Sequence, residues 1–238
     1  MLPLFPLGTV LYPGLPLPLH IFEERYRQLV RDLLAGPEPP VFGVVAIREG
    51  RETGIDGVSS LYPVGCTAVL RQVQRYPDGR YDITTSGARR FRLLELNESR
   101  LYLQGEVEML PDETGDEAAA QTEADIVRAA FGGYLRALSS LAEHDPSRGD
   151  PSRAIPADDA AEQGLSIPDL PGDPLALSYA IAASMIVDLG DKQALLAEPD
   201  AARRLAAERV LLAKETTMLR RLTSAPAPHL RYTPYSNN

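Results

Sequence analysis

The sequence predicts an α+β chain: a β-rich, barrel-like half with one inserted helix, followed by a helical bundle. Three observations predict it. Residues 1–112 read as short apolar runs punctuated by proline and glycine turns, whereas from residue 117 the apolar positions recur at helical spacing. An acidic, proline-rich stretch at 142–173 interrupts the helical half. The expected layout is a barrel subdomain over 1–112, a helical subdomain over 117–222 containing that loop, and an extended tail over 223–238.

The elements follow in order. Leu2 to Phe5 and Thr9 to Tyr12 are β-type runs on either side of the turn Pro6-Leu7-Gly8. After the turn Pro13-Gly14, the alternating prolines of Leu15-Pro16-Leu17-Pro18-Leu19 require extended chain. Phe22 to Leu34 then turns helical, with Phe22, Tyr26, Leu29, Val30, Leu33 and Leu34 on one face and Gly36-Pro37 as the stop. Strands are expected at Val41 to Ile47, Val64 to Gln74, Arg80 to Thr85, Arg89 to Leu96 and Leu101 to Leu110. Pro77-Asp78-Gly79 marks a hairpin, because Asp-Gly tolerates the positive φ that tight turns demand. Many short strands with a single helix form a closed or half-closed barrel more readily than a parallel sheet.

In the helical half, Ile126, Val127, Ala130, Phe131, Tyr134, Leu135, Leu138 and Leu141 mark one stripe, which Gly132-Gly133 interrupts as a site of close packing or a bend. Asp173 followed by Pro174 is a helix start, and that helix is expected to bury Leu175, Ile181, Met185 and Ile186 as far as Leu189. A short helix runs from Asp191 through Leu196. A long one runs from Asp200 to Leu222, with Leu205, Leu212 and Leu219 spaced by heptads as core.

Charge narrows the function. The net charge is -9, and residues 112–238 carry 20 acidic against 12 basic side chains, which argues against a nucleic-acid or anionic-membrane binder. Residues 1–111 are nearly balanced, with 12 basic and 13 acidic side chains, so a local basic patch is open there. The single cysteine, Cys66, lies in an apolar run and reads as a small buried hydrophobe. The prolines of the N-terminus are incompatible with a signal peptide or a spanning helix, and a cytoplasmic protein is expected. Scarce lysine beside abundant arginine and alanine suits a GC-rich bacterial genome.

Several blocks resemble a known family. Leu4-Phe5-Pro6-Leu7-Gly8-Thr9-Val10-Leu11-Tyr12-Pro13-Gly14, followed by Leu17-Pro18-Leu19-His20-Ile21-Phe22-Glu23-Glu24-Arg25-Tyr26, is similar to the opening signature of the Lon protease N-terminal substrate-binding domain, in the form typical of stand-alone members. Val64-Gly65-Cys66-Thr67-Ala68, Gly87-Ala88-Arg89-Arg90-Phe91, the helix from Asp173-Pro174 and Lys192-Gln193-Ala194-Leu195-Leu196 match later blocks, so the resemblance runs from residue 1 to about 222. It implies a PUA-like pseudo-barrel followed by a helical bundle, a part that in Lon recognises substrate while other domains hydrolyse ATP and peptides. No G-x-x-x-x-G-K-[ST] motif occurs. The two lysines, Lys192 and Lys214, fall on polar helix positions unsuited to a Ser–Lys dyad. A module without catalytic residues, cofactor or metal is expected.

Two residue sets are candidates for its binding surface. Tyr12, Leu15, Tyr62 and Tyr76 lie at turns or strand ends, where tyrosine serves protein recognition, and they would take protein or peptide substrates, with a separately encoded protease as a further partner. Arg71, Arg75, Arg80, Arg89 and Arg90 would form an RNA- or anion-binding face in the alternative reading; a solvated strand end paired with nearby acids is the plainer account of Arg89 and Arg90. His20, His144 and His229 are too scattered for a metal site, and His20 reads as a structural residue.

Overall fold

The computed structural model describes residues 1–50, 58–143 and 170–224. Most of the acidic loop and the tail from residue 225 lie outside them. Strands β1 (Leu2–Leu7) and β2 (Pro16–Ile21) precede helix α1 (Glu24–Ala35), and β3 (Val41–Gly50), β4 (Val58–Leu61), β5 (Val64–Arg75), β6 (Tyr81–Asn97) and β7 (Gln104–Met109) follow. Hydrogen-bonded neighbours run β1-β7-β6-β5-β3, and a parallel ladder from Leu4↔Gly43 to Leu7↔Ala46 brings β3 back to β1. Only two residue pairs, Leu2↔Gly105 and Pro3↔Gln104, join β1 to β7. The ring is therefore a pseudo-barrel with one inserted helix, as the strand and turn pattern predicts.

Its filling follows from side-chain alternation. Phe5, Leu7, Phe42, Val44, Cys66, Ala68 and Ile83 point inward, where Tyr26, Leu29, Val30 and Leu33 of α1 close the core and Phe5 stacks on Tyr26 at 3.9 Å. The intervening Leu4, Val45 and Phe91 are also buried, in a smaller cluster covered by Leu61, Leu93, Leu103 and Val107. That double burial explains why β1 and β3 are continuous apolar runs. Cys66 is fully buried, and desolvation pushes its thiol up to about 12, so it is an inert core group as expected.

Helix α1 starts at Glu24, two residues later than the apolar pattern implies. Phe22 precedes it and is 54% exposed beside His20, while Leu34 is 53% exposed in the last turn. Thr9 to Tyr12 form no strand, because this segment crosses over the barrel and turns at Gly14, whose φ is +80°. The two strands expected at 80–85 and 89–96 are one bent strand, β6. Register shifts against β5 and at Leu93/Glu95 against β7 bend it, so its first half pairs with β2 and β5 and its second half with β7.

Gly87 sits at that bend. Its N–H donates to Leu15 O, its carbonyl accepts from Gly14 N, and a Cβ built there would lie 2.1 Å from the Tyr12 carbonyl oxygen. Since backbone opposes the methyl, Gly87→Ala is expected to cost at least the ~1–3 kcal/mol typical of overpacking. A shift in the urea midpoint at unchanged slope checks it, and an unchanged midpoint would refute the contact.

On β2, Leu15, Leu17 and Leu19 turn their main-chain groups toward β6, since Gly87 N donates to Leu15 O and pairing continues every second residue. Pro16, Pro18 and His20 turn theirs away, on the side where β2 has no partner strand.

Four helices follow: α2 (Glu117–Glu143), α3 (Pro174–Ser184), α4 (Leu189–Ala197) and α5 (Ala201–Ser224). Asp173 caps α3 by accepting from Ala176 N at 2.8 Å, with Pro174 at its first position, as expected. The helix ends sooner than expected, however, at Ser184, which leaves Ile186 70% exposed. Phe131, Tyr134, Leu177, Ile181, Leu205 and Leu212 form the bundle core, so the first two heptad leucines are interior, while Leu219 packs against the core half-buried. Glu123 pairs with Arg209 and Tyr134 lies in the field of Glu215, which places α2 and α5 in the same direction. Gly132 and Gly133 provide no close helix approach, because their Cβ positions would meet only Arg136.

Candidate functional site

Two places in the described residues stand out: a buried polar seam between barrel and bundle, and an exposed groove whose leucines are mixed with Ser60, Glu98 and Arg100. The seam joins Tyr12 and Val64 of the barrel half to Tyr179, Ala182, Leu195 and Leu196 of α3 and α4. Arg90, on the bend of β6, is 1% exposed at its centre. Its Nε donates to Asp112 Oδ1 at 2.9 Å, Nη1 to Leu196 O at 3.1 Å and to Glu198 O, and Nη2 to Pro111 O at 2.7 Å and Pro199 O at 3.0 Å. All five guanidinium donors are thus used.

Arg204 lies in the same seam with no exposed surface. It donates to Leu195 O, Ser178 Oγ and Glu198 O and sits 4.2 Å from the centre of the Tyr179 ring. Tyr179 in turn donates to Asp112 Oδ1 at 2.6 Å, and Gln193 Nε2 to Val64 O at 2.7 Å. This constellation locks the two halves in one arrangement. It presents no nucleophile beside a base.

The groove is lined by Leu61, Leu96, Leu101 and Leu103, with Tyr26 and Arg25 on its α1 side, and encloses about 440 Å³. Leu101 is 69% exposed, Leu96 41% and Leu94, two residues before it on β6, 56%. Single exposed leucines need no explanation; here Leu96 and Leu101 share one hollow, and Leu94 stands outside its lining. A second hollow of about 360 Å³ adjoins it, walled by Met1, Leu2, Leu33 and the prolines 37, 39 and 40. Arg100 and Tyr102 line both, and they form the post between them. Tyr102 and Arg100 donate to Asp32 Oδ2 at 2.8 and 2.9 Å, and Gln28 to Oδ1 at 2.6 Å. Against partial desolvation, these hydrogen bonds hold the Asp32 carboxyl below the usual range, so the post stays ionised and rigid at neutral pH.

Of the first set singled out from sequence, Tyr12, Leu15 and Tyr62 gather at the seam rather than on a free surface, and Tyr76 does not join them. Tyr12 is 1% exposed and donates its hydroxyl to Lys192 O at 2.8 Å, so it is a seam residue and unavailable as surface. Leu15 is half-buried against the same seam cluster. Tyr62 is half-buried, its hydroxyl near Gly190 at the start of α4. Tyr76 lies apart on the β5–β6 hairpin, where it and His20 both bond Asp82 at 2.5 Å and hold that carboxyl below its ordinary range.

Of the arginines, Arg71, Arg75, Arg80 and Arg89 are exposed, and Arg80 is paired with Asp78 at 2.7 Å. Arg90 is no solvated strand end and leaves the anion-binding set, because its fork is spent inside the seam. Lys192 is half-buried with Nζ on Ala183 O, and desolvation draws its ammonium below the usual lysine range. From sequence, Leu96, Leu101 and Leu103 were read only as members of expected strands, and Leu61 fell in none. Their one available signal was the Leu93-Leu94 pair, which a strict alternation of strand faces does not accommodate.

No helix of the described residues is long and apolar enough to cross a membrane, and no group of three or more His, Cys, Asp or Glu side chains there could hold a metal ion. A family model described as the ATP-dependent protease La (LON) substrate-binding domain matches residues 1–214. Lon protease 1 of Herpetosiphon aurantiacus is 24% identical over 214 residues, which cover 90% of this chain and 24% of that protein. Lon protease 2 of Myxococcus xanthus is 28% identical over 222 residues, 92% of this chain and 24% of its own length. The chain thus spans about a quarter of the length of these relatives. The crystal structure of a Lon N-terminal domain protein from Xanthomonas campestris is similar with a TM-score of 0.52 and 25% identity, over 89% of this chain and 96% of that one. A pseudo-barrel with an inserted helix, a bundle locked to it through Arg90 and a family match over residues 1–214 agree: the chain belongs to the Lon protease substrate-binding domain family.

Proposed function

We propose that this chain is a non-catalytic cytoplasmic module that binds extended apolar segments of protein substrates in the groove beside Leu61, Leu96 and Leu101, and hands them to a separately encoded protease. The observation that carries this reading is the pair of exposed leucines, Leu96 at the end of β6 and Leu101 in the β6–β7 connection, beside the half-buried Leu61 and Leu103 in one hollow. The family match supports substrate binding in general, and the groove supplies a place for it. Apolar side chains of an unfolded segment would enter the two hollows on either side of the Arg100–Asp32–Tyr102 post.

The test is fluorescence anisotropy with a dye-labelled, reduced and carboxymethylated protein that cannot fold. Leu96→Glu and Leu101→Glu each remove an apolar contact of about 1.5–3 kcal/mol, so the combined variant is expected to raise Kd by at least tenfold. A variant that binds as tightly as the parent sinks the groove assignment. An RNA oligonucleotide that outcompetes the unfolded protein, with Arg71 and Arg75 required, would establish the anion-binding alternative instead.

A further inference from the structure

Glu208 lies on α5 one turn after Arg204, with no exposed surface, and neither of its carboxylate oxygens meets a hydrogen-bond donor among the described residues. The nearby seam has a second orphan acceptor, Gln193 Oε1 on α4. Arg204 and Tyr12 lie within its field, and the charged groups of the neighbouring helices bond elsewhere. Arg204 sends three of its five N–H groups to Leu195 O, Ser178 Oγ and Glu198 O and makes no hydrogen bond to Glu208; Tyr12, from the segment between β1 and β2, donates to Lys192 O; Tyr179 of α3 donates to Asp112, which also takes Arg90. Lys192 of α4 sends its ammonium to Ala183 O, and on the α2 side Glu123 holds Arg209. An ionised carboxylate here would be buried without a partner, whereas a neutral carboxyl carries a donor of its own.

We propose that Glu208 is a pH-sensitive latch at the barrel–bundle seam: neutral, it is accommodated between α5 and the barrel, and its ionisation loosens α4 and α5 from Tyr12 and Val64. Desolvation raises the carboxyl well above its ordinary range, and the field of Arg204 offsets only part of this. The sign follows from that direction. The folded state holds the proton more tightly than the unfolded chain, so the stability linked to this group is complete below the unfolded value of 4.5 and is lost as pH rises toward the folded value. The latch goes beyond substrate binding and does not rest on it.

The experiment measures the unfolding constant against pH for the full chain and for Glu208→Gln. The unfolding constant of the parent is expected to gain up to about tenfold per pH unit over that of the variant above pH ~4.5. Amide protection factors in residues 185–196, which remove the intrinsic rise of exchange with pH, are expected to fall with pH in the parent alone. Parallel curves for the two proteins would overturn the latch. Carbon-13 titration of the glutamate carboxyls in the parent tests it without a variant: one carboxyl titrating well above the rest is expected, and all of them titrating together would refute it.

Discussion

Replacing Arg90 with methionine is expected to remove about 3–5 kcal/mol of folding stability, the usual cost of breaking a buried charged network. Methionine fills much of the volume and donates nothing. Asp112 then keeps only the Tyr179 hydroxyl, and the carbonyls of Pro111, Leu196, Glu198 and Pro199 each lose a donor inside the seam. Set against a typical total of about 5–15 kcal/mol, that is enough to separate bundle from barrel before the barrel itself melts. Arg90→Lys is expected to recover less than half, since an ammonium has three donors and no planar fork to span carbonyls from two chain segments. Guanidinium unfolding followed by far-ultraviolet circular dichroism measures both variants. A loss below about 1 kcal/mol for the methionine variant would mean that the cage is ornamental.

Arg204→Leu comes next, at about 3 kcal/mol. This cation has no hydrogen-bonded carboxylate; two carbonyls, one hydroxyl and the face of Tyr179 hold it. Removing it frees the Leu195 carbonyl and takes away the positive charge that partly offsets Glu208. Both arginines bond Glu198 O, and Asp112 and Tyr179 link them further. The double variant is therefore expected to lose less than the sum of the singles, by about 0.5–3 kcal/mol. Strict additivity would show that the two cations act independently. The groove leucines belong to neither network, so substrate affinity measured below the unfolding transition is expected to survive both substitutions.

Local chemistry made much of this fold readable. The prolines of β2, the Asp-Gly hairpin and the Asp173-Pro174 start each constrain backbone within a few residues, and the structure places strand, turn and helix there. Features set by distant partners were not readable. Arg89-Arg90 looks like a solvated pair because the groups that bury Arg90, around Pro111 and from Leu196 to Pro199, stand about 20 and 110 residues away. Tyr12 has the same history, its partner being the carbonyl of Lys192. The groove was hidden partly by phase, because the register shift at Leu93/Glu95 changes the face that Leu96 takes on β6. It was hidden partly by the chain leaving the sheet, because Leu101 and Leu103 lie in the β6–β7 connection where the sequence pattern continues a strand.

The free side of β2 bears on how such a protein survives its own ligands. Anything that collects unfolded chains meets segments eager to pair with an unsatisfied strand, and each pairing could seed a growing aggregate. Pro16 and Pro18 have no N–H to offer, so of the three residues turned outward only His20 retains a donor. Under the proposed function, a captured chain would find no main-chain donor at Pro16 or Pro18, and the grip would fall chiefly to its side chains, which a downstream partner can displace.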